Sequence, residues 1–292
     1  MSPLIMDQYR STSATQSRRL RSKNYALTWA GPDDAPSIVA IEFDAFKGEK
    51  TNHILSYRDF TQPAHRQRAL LMYQNAMTGS DGIRRRKKSA SARRVERRPN
   101  TDVVRFRKVT DVENKLIISW AKTEIKTYTE DELASPADSG HEGEAVMNRE
   151  WFALNEKLKR DYMGTQKHCY ISMLATSPAY QHNGAGTMLL EDILREADDA
   201  GIECYLEATD TAKPLYERHG FETVNVLEFD PSHYGVLGFR VERQTIMIRG
   251  ALDPITKQRK PVRSWHEATG REGSPSPSPS SSSENSENEG GA

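Results

Sequence analysis

Cysteine is scarce. Two cysteines in a chain of 292 residues cannot build a disulfide framework, and both Cys169 and Cys204 sit in short apolar runs where a small buried thiol is the ordinary reading. Long apolar runs are missing too: none approaches the ~18 residues that a membrane-spanning helix requires. The start, "MSPLIMDQYRSTSATQSRRLRSKN", lacks the apolar centre of a secretory signal and reads as a disordered basic leader over residues 1–23. Together these absences point to the cytoplasm or the nucleus, with no membrane partner. The histidines at 53, 65, 141, 182, 219, 233 and 266 show no metal-ligand spacing with one another or with the two cysteines, so no metal is expected. Apolar content is low as well, at 36% with a mean hydropathy of −0.75, which fits a folded core diluted by polar segments better than one compact globule.

Net charge is zero, yet the charges are segregated. "IRRRKKSASARRVERR", residues 83–98, holds nine basic residues and one acid. It lacks interleaved aromatics, so it supports general phosphate attraction or a nuclear address rather than base reading. "TEDELASPADSGHEGE", residues 129–144, is acidic and poor in apolar residues, and "GSPSPSPSSSSENSENEGGA" is a low-complexity tail. What remains is one domain over residues 24–250 with polar insertions at about 80–99 and 129–146, followed by a C-terminal extension, 251–292, that ends in a disordered Ser/Pro/acidic tail.

Periodicity organises that domain. "YALTWA" reads as a strand, residues 34–46 as a helix and "PAHRQRALLMYQNAM" as a second helix. "TDVVRFRKVTD" and "KLIISWAKTEI" alternate as a strand pair, and Trp151, Leu154, Leu158 and Tyr162 share one helical face. "CYISMLATSPAYQHNGAGTMLL" changes from strand character to an amphipathic helix through a turn of small residues. The strand "IECYLEAT" follows, giving a parallel strand–helix–strand unit with a right-handed crossover. A short helix in "AKPLYERHG" and two strands, "FETVNVLEF" and "GFRVERQTIMIRG", complete the count.

A turn built from Gly184, Ala185 and Gly186 leaves few side chains in front of the unpaired N–H groups of a helix start, so it is suited to a phosphate. A plain tight turn explains the glycines equally well. Thr187-Met188 after the last glycine is not the Lys-Ser/Thr of a nucleotide-hydrolysing loop, and the three-glycine dinucleotide pattern is incomplete.

Gln181, Gly184 and Gly186, followed at a distance by Tyr216, Gly220 and Phe221 in "LYERHGF", resemble the acetyl-CoA-binding half of GNAT-type N-acetyltransferases. The resemblance covers about Cys169 to Phe221, and its wording is most similar to acetyltransferases of filamentous fungi. It implies an α+β fold: a mixed, mostly antiparallel sheet of about seven strands flanked by helices, with acetyl-CoA as the acyl-donor cosubstrate at the parallel strand–helix–strand unit. It implies that His182, Asn183, Gly184, Ala185, Gly186 and Thr187 hold the pyrophosphate. The backbone near Leu174, Ala175 and Thr176 pairs with the pantetheine arm. Tyr216 occupies the position of the acid that protonates the departing sulfur, while a core tyrosine beside Phe221 is the competing reading. Glu207 and His168 are the alternatives for a base, with a bound water as a third. The expected reaction is acetyl transfer to a primary amine of a small molecule or protein by direct attack in a ternary complex. A non-catalytic acyl-CoA-binding module and a nucleic-acid-associated protein using residues 84–98 are the other readings.

Overall fold

The alternating segments assemble into a seven-stranded sheet in the order β1-β2-β3-β4-β5-β7-β6. The strands are β1 (Tyr25–Trp29), β2 (Val103–Asp111), β3 (Leu116–Lys126), β4 (His168–Thr176), β5 (Glu203–Ala208), β6 (Glu222–Phe229) and β7 (Glu242–Arg249). All neighbours are antiparallel except β4 and β5, the parallel pair that the crossover predicts. This computed structural model describes residues 24–57, 63–79, 103–137 and 145–271. The basic leader, the basic segment 83–98, the acidic segment beyond Ala137 and the Ser-Pro tail lie outside them.

Eight α-helices flank the sheet among the described residues: α1 (Ala35–Ala45), α2 (Lys50–Tyr57), α3 (Pro63–Met77), α4 (Glu130–Ala134), α5 (Val146–Met163), α6 (Ala185–Ala200), α7 (Lys213–Glu217) and α8 (Trp265–Thr269). On one face α6 lays Leu189, Leu190, Ile193, Leu194 and Ala197 against Ile171, Cys204, Leu206 and Met247. This is the apolar stripe of an amphipathic helix facing a sheet. The opposite face carries two clusters. Around Phe106, Trp120 and Ala175, α1 and α3 bring Ile38, Phe43 and Tyr73. Around Tyr205, Ile246 and Ile248, α2 and α5 bring Ile54, Leu55, Trp151 and Tyr162.

Three elements differ from the sequence expectation. Residues 50–57 form α2 where the sequence reads as a loop. Its hydrogen-bonding side chains give it little intrinsic helicity, and its place is fixed from outside: Asn148 Nδ2 donates to Ile54 O and Leu55 O at 2.7 and 2.6 Å. The acidic segment begins as α4, capped by Thr129 and tied down where Arg160 Nη1 donates to the carbonyl of Glu132 at 3.0 Å. β7 starts at Glu242 instead of Gly238 because Gly238 turns the chain with φ at 86°.

The core also reaches past Gly250. Trp265, buried, stacks on Tyr162 with centroids 5.8 Å apart, and the hydroxyl of Tyr162 donates to Arg263 O at 2.7 Å. Trp265→Ala is therefore expected to lower unfolding stability by about 3–5 kcal/mol, the usual cost of removing a buried indole. Urea unfolding followed by circular dichroism measures it. An unchanged midpoint would mean that the segment after Gly250 lies on the domain without contributing to it.

Candidate active site

The turn that leads into α6 brings the predicted donor-binding residues together. Gly184 caps the helix at φ 88°, and His182 before it also has a positive φ of 59°. Left-handed backbone is cheap for glycine and costs roughly 1 kcal/mol or more for other residues. The first helical bond runs from Met188 N–H to Gly184 O at 3.0 Å, leaving the amides of Ala185, Gly186 and Thr187 without an intrahelical acceptor. Gly186 lies against β4: a Cβ there would stand 3.4 Å from Thr176 Oγ1 and 3.5 Å from Leu174 Cδ2. Gln181 Nε2 donates to Thr176 O at 3.3 Å, tying the turn to the strand end. The strand end is held in turn by Ser119 Oγ, 2.9 Å from Ala175 O and 2.7 Å from Thr176 Oγ1.

β4 and β5 part company early. Their pairing consists of His168↔Glu203, Cys169↔Cys204 and Tyr170↔Tyr205, although β4 continues to Thr176 and β5 to Ala208. The cause is visible on the other edge of β4, where the β3 register jumps from Lys122↔Met173 to Thr123↔Ile171. Ser172 is the extra residue of a β-bulge, and a bulge bends its strand and breaks alternation. Ile171 packs under α6 before the bulge, and beyond it Leu174 packs there instead, while Met173 and Ala175 turn to the opposite face. The backbone edge of β4 from Ile171 onward has no strand partner on the β5 side, beside the α6 turn.

The remaining predicted residues divide between the two faces. Tyr216 is buried in the α6 cluster, its ring edge-on to Phe221 at 5.6 Å. Its hydroxyl makes no hydrogen bond to another described residue, and burial pushes its pKa up, so it keeps its proton. Both sequence readings of Tyr216 are thus compatible with its setting: the ring packs and the hydroxyl is unengaged.

Glu207 belongs to the opposite face, with Tyr205 two residues earlier on the same side of β5. Burial raises the carboxyl pKa of Glu207, opposed by Lys159 and by the hydroxyls of Tyr170 and Tyr205, which favour the anion. Its Oε1 is out of solvent and has no hydrogen-bond partner among the described residues. Lys159, itself buried, places Nζ 3.9 Å from the Tyr170 ring centroid and 2.9 Å from Glu156 Oε2. Burial alone would raise Glu124, the β3 partner of Tyr170, but Lys122, Lys159 and Lys126 hold it down at about 2.

His168 shares this face but sits at the closed end of the strand pair. It is fully buried, its Nδ1 is 3.1 Å from Gln166 O, and its ring lies 5.6 Å from that of Tyr128. Burial lowers its pKa to about 4, so the imidazole is neutral, and Tyr170 stands between it and Glu207 along the face. Sequence reasoning missed Lys159, Tyr205 and the bulge at Ser172; only the two-residue spacing of Tyr205 and Glu207 hinted at their shared face.

A further carboxyl sits where β7 begins. Glu242 is buried, accepts from Asn52 Nδ2 of α2 at 3.1 Å, and is pushed up to about 7 by burial, with Glu49 and Asp210 adding to the rise and Asn52 and Arg240 opposing it. Among the described residues no group of three or more His, Cys, Asp or Glu side chains is arranged to hold a metal ion.

Residues 150–233 match the family model of the acetyltransferase (GNAT) domain. Over 74 residues the chain is 32% identical to the uncharacterised N-acetyltransferase YafP of Escherichia coli strain K12, covering 25% of this chain and 46% of that protein. The chain thus spans about half the length of the curated relative it matches. Among solved structures it resembles mosquito arylalkylamine N-acetyltransferase like 5b, with a TM-score of 0.51 at 15% identity over 77% of this chain and 99% of that one. That likeness concerns the fold.

Glu242 gives the fold a pH signature. Its carboxyl binds a proton more tightly folded than unfolded, so the stability it lends is complete below about 4.5 and is lost as pH rises through about 7. Glu242→Gln should match the parent at pH 5 and exceed it by roughly 2–3 kcal/mol at pH 8. Urea unfolding at the two pH values measures this; an equal difference at both would show that the carboxyl does not titrate in this window.

Proposed function

We propose that the chain is a GNAT-type N-acetyltransferase, the family whose domain model residues 150–233 match, and that it transfers an acetyl group from acetyl-CoA to a primary amine of a small molecule or protein. The transfer is a direct attack in a ternary complex, carried out by a single domain over residues 24–250 on which the segment to Trp265 also packs. The observation that supports this most strongly is the parting of β4 from β5 beyond Tyr170 and Tyr205, beside a helix turn whose leading amides have no intrahelical acceptor.

In this reading the amides of His182 to Thr187, at the positive end of α6, receive the pyrophosphate. Gly184 supplies the left-handed turn, and Gly186 allows the backbone to approach. Gln181 braces the turn against Thr176. The free edge of β4 around Leu174, Ala175 and Thr176 takes the amide-bearing pantetheine arm as a further strand. An exposed strand edge is otherwise a liability, and a ligand that covers it removes the need for a protein strand.

Acetyl-CoA supplies the acyl group as a thioester already activated toward an amine. The acceptor arrives as an ammonium, with an unperturbed pKa near ~10.4, and must lose a proton before it can attack. Glu207 takes that proton. Burial raises the pKa of its carboxyl and so makes it a stronger base, while Lys159 opposes that rise. His168, enclosed behind Tyr170, has no open path to the amine, and we assign it a packing role. A backbone N–H of β4 near Leu174 meets the thioester oxygen. Tyr216 Oη then gives a proton to the departing sulfur as the C–S bond breaks, and the proton that the attacking nitrogen loses on becoming an amide restores the hydroxyl; its raised pKa means that the proton is present throughout the neutral range. Acid and base lie on opposite faces of the sheet, and the gap between β4 and β5 is where they meet.

Gly186→Val tests the donor site: the branched side chain meets Leu174 and Thr176 and crowds the turn. Acetyl-CoA affinity, measured by calorimetry, should fall at least about 30-fold with the circular dichroism spectrum unchanged. Normal binding would place the donor elsewhere. Tyr216→Phe tests the acid. Acetyl-CoA affinity should change little, while single-turnover acetyl transfer falls about 10²–10⁴-fold. Equal loss of stability and binding with no selective loss of rate would make Tyr216 a packing residue, and donor binding without turnover of any amine would favour a non-catalytic acyl-CoA-binding module.

A further inference from the structure

A pocket of about 380 Å³ opens between α2, the start of α5 and the connection from β6 to β7. Ile54, Val146, Met147, Tyr234, Val236 and Phe239 form most of its wall. Its polar side chain, Asn148, is fully buried; both amide hydrogens go to the carbonyls of Ile54 and Leu55, so Oδ1 is left without a donor among the described residues. The rim is apolar as well. Val146, Leu237 and Val241 are 52%, 76% and 48% exposed, and all three belong to the segments that frame the pocket. Scattered exposed apolar residues are normal, but a cluster of them around an apolar concavity marks a place for a ligand.

Charge gives that ligand a direction. Glu242 follows Val241 in the chain and is held by Asn52, two residues before Ile54 on α2. Glu49 and Asp210 act on its carboxyl against the one cation, Arg240, so carboxylates outnumber cations on the α2 side of the pocket. From Glu242, β7 leads through Gln244 to Ile246, the register partner of Glu207, a span of ~13 Å along one face of the sheet. A cation entering from the pocket is therefore drawn toward Glu242 and onward to Glu207, whose charge Lys159 shares with Glu156 and Glu124. A second cation on the same molecule would have to lie among apolar side chains with no partner, which is unfavourable.

We propose that this pocket receives the apolar body of the acyl acceptor, so that the acceptor is an amphiphilic primary amine: a small molecule with an aromatic or branched apolar group on a flexible cationic arm. The proposal rests on the acetyl-transfer reading above and narrows its substrate class, leaving polyamines and polar polycations outside it. An apolar body carrying its own hydroxyl gains further if that group reaches Asn148 Oδ1.

Calorimetry on the full chain saturated with coenzyme A, with 4-phenylbutylamine, octylamine and spermidine as probes, reads acceptor binding without acetyl transfer. The two amphiphilic amines should bind at least about 10-fold more tightly than spermidine. Val146→Trp, at a half-exposed position on the pocket wall, should weaken 4-phenylbutylamine at least about 10-fold and leave acetyl-CoA affinity and the melting temperature unchanged. Leu237→Arg, on the exposed rim, should act in the same direction by placing a cation at the mouth. Equal or tighter binding of spermidine, or amphiphilic affinities untouched by both substitutions, overturns the proposal. Thiol release from acetyl-CoA with spermidine or a short peptide, and none with the amphiphilic amines, overturns it while acetyl transfer stands. Amphiphilic amines that bind in the pocket while no amine releases thiol overturn the acetyl-transfer reading instead, and with it the acceptor role of the pocket.

Discussion

The parting of β4 from β5 is the constraint on which the rest of the site depends. Two parallel strands in register normally keep their ladder, because each unmade backbone bond leaves groups that must find another partner. Here the ladder stops after Tyr170↔Tyr205, and the bulge at Ser172 bends β4 away while β3 still holds its other edge. The cost is tolerable because the exposed edge faces an opening and not the packed core. α6 starts beside that edge, so free strand amides and free helix amides converge on one concavity. Neither set alone would define a site.

The same geometry separates the chemistry by face. On the α6 side the groups are uncharged: backbone amides, Gly186, and a tyrosine whose hydroxyl stays protonated. On the α5 side a charged group is buried with its partners. Lys159 serves Glu156, Glu124 and Glu207 at once, and a buried cation shared among carboxylates keeps each of them partly compensated. Glu207 is the least compensated of these carboxylates, since burial still dominates its titration. A buried carboxyl whose pKa is raised, at the end of a strand, is a candidate proton acceptor.

Much of the fold was legible because its signals are periodic or local. The stripe Leu189, Leu190, Ile193, Leu194 and Ala197 announced α6, and the glycines at 184 and 186 announced its turn. The residues proposed to bind the donor all belong to one continuous stretch, and their gathering could be read from their order. The acceptor side was hidden for the opposite reason. Glu207, Lys159, Tyr170 and Glu242 come from four separate elements and meet only through the sheet. α2 owes its helix to Asn148, almost a hundred positions away, and nothing in "KTNHILSY" foretells it. The bulge at Ser172 has no sequence mark, although it decides which side chains of β4 face α6. Trp265 was overlooked because the polar stretch around it resembles the tail that follows.

The central claim is that one ligand covers both the edge of β4 and the start of α6. Backbone amide exchange, followed residue by residue by nuclear magnetic resonance with and without acetyl-CoA, tests it most directly. Slower exchange should appear together in two separate places on binding, at Ala185, Gly186 and Thr187 and at Leu174 and Thr176, whose amides alternate with those bonded to β3, because each gains an acceptor it lacks in the free protein. Acetyl-CoA that binds while the amides in either place exchange as before would contradict the account.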